Sequence, residues 1–428
     1  MSEPLRLGVA GLGTVGVGVV KIIQQKANLL AERSGRPIEI TAVSARSRDK
    51  DRGVPLDAYG WEDDPAALAR RDDIDVFVEL VGGDDGPAKQ AIEAALAAGK
   101  DVVTANKALL AHHGQRLAEL AEDAGHVIRF EAAVAGGIPV IKALTEGLAG
   151  NDVERVLGVM NGTCNYILTR MENAGLSYED AFAEADGLGY LEADPTLDVG
   201  GIDAGHKLAL LAAIAFGTQP DFDAVELEGI GSITIEDIRQ AADMGYRIKL
   251  LGVAQLTGRG LEQRMSPCLV PAISPLGQLE GGTNMVVLEG DHAGQIVLRG
   301  AGAGQGPTAS AVMSDVIDIA RGTRLSTFGQ PARGLRKARP ARAAVPAPYY
   351  LRMELVDKPG ALAKIAAQLG EAGISIDRMR QYGHEATTAP VLIVTHRTTR
   401  AALDEAIRGF ETTGVLASTP VAIRIEEV

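Results

Sequence analysis

The chain has 428 residues, enough for about two to three domains of ordinary size. Hydrophobic residues make up 46% and charged residues 23%, which excludes a disordered chain and leaves ample apolar material for cores. A formal net charge of −14 disfavours nucleic acid or an anionic membrane as the main partner, and 4% aromatic residues remove the stacking platforms of single-strand binders.

In chain order, Leu5–Ala10 reads as a buried strand and 17–34 as a helix stopped by Gly35 and Pro37. Strands are expected at 38–43, 76–81, 102–104 and 126–131, with helices at 87–98 and from Ala108. Strands alternating with helices imply βαβ units and a parallel sheet. Residues 140–320 mix both patterns; helices stand out at 178–185 and 202–215. A Gly-rich loop is expected at 297–310, followed by a helix at 309–321. The Pro-, Ala- and Arg-rich stretch 331–348 has no apolar period and reads as a flexible linker. Beyond it, strands at 349–355, 374–381, 391–396 and 421–425 with helices at 361–372 and 400–410 give the order βαββαβ, a ferredoxin-like module.

The two cysteines, Cys164 and Cys268, form no CxxC, and the seven histidines show no HExxH-like spacing, so neither a disulfide framework nor a zinc site is expected. No apolar run reaches ~18 residues. Met1-Ser2-Glu3-Pro4 lacks a basic segment leading into an apolar one, so a reducing cytoplasm is the expected setting.

Gly11-Leu12-Gly13-Thr14-Val15-Gly16 is a GxGxxG that follows a strand and opens a helix. The first glycine permits the tight turn, the second lets the backbone approach a pyrophosphate, and the third lets helix and strand pack closely. The helix N-terminus adds free N–H groups and a positive dipole end. Where an NAD site usually places an acid, this chain has Ser44-Ala45-Arg46-Ser47-Arg48. Arg46 could hold a 2′-phosphate, which favours NADP with NAD possible; a solvated basic loop is the plainer alternative. Lys107, in Thr104-Ala105-Asn106-Lys107, follows a parallel strand, where ligands of open sheets sit, although a lysine there can simply be solvated. Asp203 and Lys207 are i,i+4 on one helix, which alone would make a surface ion pair. His206 lies off that face and reads as structural.

Taken together, GLGTVG, TANK, NGTCNYIL (161–168), GYLEADP (189–195), DAGHK (203–207) and GAGAGQGPTAS (300–310) resemble homoserine dehydrogenase in order and spacing. Asp357-Lys358-Pro359-Gly360-Ala361-Leu362 with Gly373-Ile374-Ser375-Ile376 resembles an ACT domain. The resemblance implies reversible NAD(P)H-dependent reduction of L-aspartate 4-semialdehyde to L-homoserine, on the route to threonine, methionine and isoleucine. It implies that Leu12, Thr14 and Val15 line the cofactor with Gly11, Gly13 and Gly16, that Lys107 contacts cofactor and substrate, and that Glu192 binds the substrate. Asp203 would sit close by, Lys207 would be the proton donor, and Gly304 would reach back to the nucleotide. It also implies a sodium loop of Glu131 with the backbone oxygens of Val134, Gly136 and Ile138. Cys164 stands where threonine is also common and is assigned no role.

The expected organisation is a Rossmann-type doubly wound domain at 1–139 with a return segment at 305–325, then an α+β catalytic and dimerisation domain at 140–304. A linker at 326–348 and an ACT domain at 349–428 complete it. The ACT domain is expected to bind threonine, or else to be a module without ligand; Arg352, Lys358 and Arg378 read as ordinary surface charges. A homodimer or homotetramer is expected. One rival is a different enzyme on the same nucleotide fold, such as another semialdehyde or amino-acid dehydrogenase, of which aspartate-semialdehyde dehydrogenase would need a nucleophilic cysteine with a partner base; the other is a non-catalytic amino-acid sensor that keeps the nucleotide fold.

Overall fold

The computed structural model describes residues 3–191, 194–341, 343–381 and 387–427. Its first sheet runs β1 (Leu5–Ala10), β2 (Ile38–Ser44), β3 (Gly60–Glu62), β4 (Val76–Glu79), β5 (Asp101–Thr104) and β6 (Ile128–Arg129), all parallel, in the order β3-β2-β1-β4-β5-β6. Helices α1 (Thr14–Ser34), α2 (Pro65–Ala69), α3 (Pro87–Ala97) and α4 (Lys107–Asp123) connect these strands. Strands buried on both faces, such as Leu5–Ala10 and Val76–Glu79, are near-continuous apolar runs because helices cover both sides. The order reverses between β1 and β4, and this is where such sheets open a crevice for ligands.

Next come the short α5 (Val140–Lys142), β7 (Val153–Val159), α6 (Gly162–Ala174), α7 (Tyr178–Gly187), α8 (Thr196–Val199) and α9 (Ile202–Phe216). The strands β8 (Glu226–Leu227), β9 (Tyr246–Thr257), β10 (Gly260–Pro271), β11 (Thr283–Gly290) and β12 (Gly294–Ala301) follow, with α10 (Ile235–Asp243) before β9 and α11 (Gln305–Ala320) after β12. Helix α11 returns to the first sheet, burying Ala309, Val312 and Val316 with Val19 and Val20 of α1. The C-terminal module is β13 (Tyr349–Val356), α12 (Ala361–Glu371), β14 (Ile376–Gln381), β15 (Thr388–Thr395), α13 (Arg400–Thr412) and β16 (Val421–Ile425).

The second sheet does not stop at the module. It runs β12-β11-β7-β9-β10-β16-β13-β15-β14, with β8 beside β10, because β16 pairs in parallel with β10 (Cys268 opposite Arg424, Leu269 opposite Ile425).

Several expectations need correction. The strand expected at 126–131 is only Ile128–Arg129: the Asp101 carboxylate takes the Val127 N–H, and Glu131–Ala133 coils into a 3₁₀ turn. The expected loop at 297–310 is a strand as far as Ala301, leaving Gly302–Gly304 as a short turn before α11; the glycines in it hid the ladder with β11. The stretch 331–348 is not a flexible linker. Its described residues are tied down at intervals, with Leu261 N–H to the Arg339 carbonyl at 2.9 Å, Ala341 N–H to the Leu261 carbonyl at 2.8 Å and Val345 N–H to the Glu262 carboxylate at 2.9 Å. Polar, Pro-rich composition reports missing side-chain periodicity, not missing backbone partners. Arg352 is no surface charge: its guanidinium is paired with Asp237 of α10, whose side chain is fully buried. Arg378 lies half-exposed against the Tyr246 ring and donates to its hydroxyl at 2.8 Å. Lys358 stays exposed.

Candidate active site

The phosphate loop is shaped by exclusion. Gly11 has φ +94, and a Cβ there would stand 2.3 Å from the Leu80 carbonyl oxygen; one on Gly16 would stand 1.9 Å from the Gly11 oxygen. Gly13 faces open space, with no atom within 4 Å of where its Cβ would lie, and no side chain caps α1. An uncapped helix start beside an open glycine fits a dinucleotide's pyrophosphate. Thr14 and Val15 open α1, and Leu12 is buried beneath the loop. Beyond β2, Arg46 is exposed; Arg52 reaches back so that its Nε donates to the Leu12 carbonyl at 3.2 Å, and its guanidinium lies 5.7 Å from the Trp61 ring centre.

Lys107 is the first residue of α4, and its place is set by a chain of hydrogen bonds. The buried Glu79 carboxylate ends β4, accepting Val81 N–H at 2.7 Å, Gly82 N–H at 3.0 Å and the Thr104 hydroxyl at 2.6 Å. Thr104 Oγ1 accepts Asn106 N–H at 3.0 Å, and Asn106 caps α4 by accepting Leu109 N–H at 3.1 Å. Sequence reasoning missed Glu79; an acid closing the apolar run VFVE was the available signal.

From the other side come Asp203 and Lys207 of α9. Lys207 Nζ donates to Asp203 Oδ2 at 2.7 Å and to the Met160 carbonyl at 2.8 Å. Lys107 Nζ lies 3.0 Å from Asp203 Oδ1. One carboxylate, in the first turn of its helix, thus binds two ammonium groups from two elements. Burial pushes the Asp203 carboxyl up, but the Lys207 and Lys107 charges outweigh it and hold it well below the usual carboxylate range. Asn161 caps α6 by accepting Cys164 N–H at 2.8 Å, and its Nδ2 donates to Asp198 at 2.8 Å. Asn284 Nδ2 donates to the same Met160 carbonyl at 3.0 Å. These groups face a cavity of about 490 Å³ that Val15, Gly136, Thr163, Asp198 and Gly304 also line.

The chain belongs to the homoserine dehydrogenase family. Residues 139–317 match the family "Homoserine dehydrogenase", 11–131 match "Homoserine dehydrogenase, NAD binding domain", and 349–411 match "ACT domain". A homoserine dehydrogenase of Neisseria gonorrhoeae is 42% identical over 100% of this chain and 99% of its own. The crystal structure of a homoserine dehydrogenase from Thiobacillus denitrificans aligns at a TM-score of 0.94 and 39% identity, covering 99% of both chains. A hyperthermophilic archaeal homoserine dehydrogenase mutant in complex with NADPH aligns at 0.63 and 28% identity, over 74% of this chain and 97% of that one. This member is therefore an NAD(P)-dependent oxidoreductase with a Rossmann-type domain, a catalytic domain and an ACT domain.

In this dehydrogenase the structure brings together Lys107, Asp203, Lys207 and Gly304 with the start of α1. Glu192 lies outside the described residues. The expected cation loop sits beside the cavity: Ala135 and Gly136 both have φ 55, turning the chain sharply, while Glu131 is buried and its carboxylate accepts Ile141 and Lys142 N–H at 2.9 Å. Burial raises the Glu131 carboxyl. The Ile138 carbonyl accepts Val140 N–H at 2.8 Å. His206 packs on Phe222 with ring centres 4.1 Å apart, and burial, His112 and Lys107 lower it to about 4, so it is neutral at physiological pH. Burial pushes the Cys164 thiol well up, and its Sγ donates to the Asp198 carbonyl at 3.3 Å; burial also raises Cys268. Neither is the thiolate that a semialdehyde-acylating enzyme needs.

Proposed function

We propose that this chain interconverts L-aspartate 4-semialdehyde and L-homoserine, with Lys207 as the proton donor. One observation carries the reading: Lys207 has two of its three N–H donors engaged, by Asp203 and by the Met160 carbonyl, and its Nζ borders the cavity at the start of α1. A bound nicotinamide supplies the hydride in the reducing direction. As negative charge develops on the aldehyde oxygen, the third N–H of Lys207 stabilises it and passes its proton. In the oxidising direction the neutral amine takes that proton back. Asp203 stays ionised throughout, so its part is to hold both ammonium groups in place. Lys107 contacts cofactor and substrate, and Glu192 holds the substrate ammonium.

Arg46 favours NADP by offering a cation to the 2′-phosphate, with NAD as the second cofactor; the archaeal relative in complex with NADPH supports this. A sodium ion on Glu131, Val134, Gly136 and Ile138 would brace the turn beside the cavity. The enzyme works in the cytoplasm as a homodimer or homotetramer. Threonine, the pathway product, acts through the ACT domain, and the seam described above gives that effect a route: Arg352 to Asp237 and the Tyr350 hydroxyl to Gln240 at 2.9 Å tie β13 to α10. Homoserine-dependent reduction of NADP⁺ and of NAD⁺, followed spectrophotometrically with and without threonine and sodium, tests these statements together. Effector binding without turnover would favour the sensor instead. A rate untouched by saturating threonine, with no heat of binding, would end the regulatory part.

A further inference from the structure

One buried cation has no part in that mechanism. Lys249 of β9 is 2% exposed, and its Nζ donates to Asn165 Oδ1 at 3.0 Å and to the Leu279 carbonyl. An ammonium buried against neutral acceptors is costly, so its retention asks for a reason. Asn165, on α6, donates its Nδ2 to the Gly281 carbonyl at 2.7 Å, and Gly281 N–H reaches Thr169 Oγ1 of the same helix at 3.3 Å. Segment 279–281 is thereby tied to α6 at both ends. The next residues are cavity wall. Gly282 and Asn284 face the cavity, and a Cβ on Gly162 would stand 2.6 Å from the Gly282 oxygen. Asn284 holds the Met160 carbonyl, which in turn holds Lys207.

We propose that Lys249, acting through Asn165, is a positioning residue: it holds segment 279–284 against α6 as the wall that faces the substrate and anchors the carbonyl behind Lys207. This rests on the reading of that cavity as the catalytic centre. The charged groups facing Lys249 are Glu172 of α6, Arg247 of β9 and Glu280 of the wall segment itself. Burial lowers Lys249 to about 8, with Glu172 and Glu280 raising it and Arg247 lowering it. A neutral amine still donates, but without the charge that strengthens the bond, so the grip weakens as pH rises through that value.

The experiment is steady-state kinetics of the full-length enzyme across about pH 7 to 10, with amide hydrogen exchange of segment 279–284, on the native protein and Lys249→Met. The KM for homoserine is expected to rise about tenfold in Lys249→Met, with the Kd for NADPH unchanged, as for one lost charge-assisted hydrogen bond. In the native enzyme the KM climbs above about pH 8 from two sources, Lys249 and the substrate's own ammonium, and in Lys249→Met only the substrate's share remains, so the climb becomes shallower. Exchange in the segment speeds up in the variant, whatever the enzyme turns over, so a failure of the wall and a failure of the assigned reaction separate. An unchanged KM, or unchanged exchange, overturns the proposal. If Lys249→Met does not fold, Asn165→Ala carries the same two expectations and the same two refutations.

Discussion

Asp203, with its side chain 11% exposed, and the buried Glu426 are both carboxylates held among cations, but the cations differ. Asp203 lies between Lys107 and Lys207, and both lysines border cavities. Glu426 lies between Arg264 and Arg424 at the seam where β16 joins β10, with Arg155 at 3.6 Å. Arg264 also pairs with Glu262 at 3.0 Å, and both side chains are about 5% exposed. The electrostatic plan is shared, yet the proton chemistry is not. A lysine ammonium can give up a proton and take it back, while a guanidinium stays charged and presents a rigid fork. Lysines that exchange a proton suit a reaction; arginines that bridge strands suit a joint, even though Arg424 and Glu426 also line a cavity of about 310 Å³.

The largest expected effect breaks the first cluster. Lys207→Ala should lower kcat by about 10²–10⁴ with NADPH binding intact, read by turnover and by fluorescence titration. Lys207→Arg sharpens the point, because it restores the charge without a proton to give: its kcat should stay at least about 10² below native. Near-normal turnover in either variant would move the donor to Lys107 or to water. The second cluster should respond differently. Glu426→Ala leaves buried arginines without their carboxylate and should reduce the unfolding free energy by about 3–5 kcal/mol in denaturant titration, while the folded fraction keeps its kcat. A large loss of kcat with normal stability would show that the seam acts on the reaction and erase the contrast.

Arg46→Ala, outside both clusters, should weaken NADPH by about 1.5–3 kcal/mol, roughly 10- to 150-fold, and NADH hardly at all. Equal Michaelis constants for both cofactors, unmoved by the substitution, would remove its role. The smallest effect concerns pH. Because the two lysines hold the Asp203 carboxyl below its ordinary value, its contribution to stability is present above about pH 4 and is lost as pH falls toward the folded value. Asp203→Asn should flatten that part of the stability profile, measured by denaturant midpoints at successive pH values.

Some of the molecule was legible in one dimension. GLGTVG states its own geometry, since each glycine answers a local demand of turn, open face or close packing, and Leu5–Ala10 and Val76–Glu79 carry the continuous apolar signal of doubly covered strands. Asp203 and Lys207 could be placed on one helix face by their spacing. Less was legible where contacts are distant. Both long strands β9 and β10 are buried on two faces, which erases the alternation that marks a strand. Glu79, Asn284 and Lys249 carry no motif; Asn284 and Lys249 find their partners tens of residues away, and Glu79 reaches Thr104 on the next strand.

By itself the sequence determined what depends on neighbours along the chain: the phosphate loop, the βαβ alternation, the βαββαβ order of the last module and the family resemblance. Tertiary structure alone decided that Lys107 meets Asp203 across two elements, that 331–348 is docked, and that the last strand extends the catalytic sheet. The physical reason is range. Backbone conformation and amphipathic period are set by residues a few positions apart, whereas the pairing of buried charges and strand edges is settled by whichever distant groups folding brings within hydrogen-bond reach.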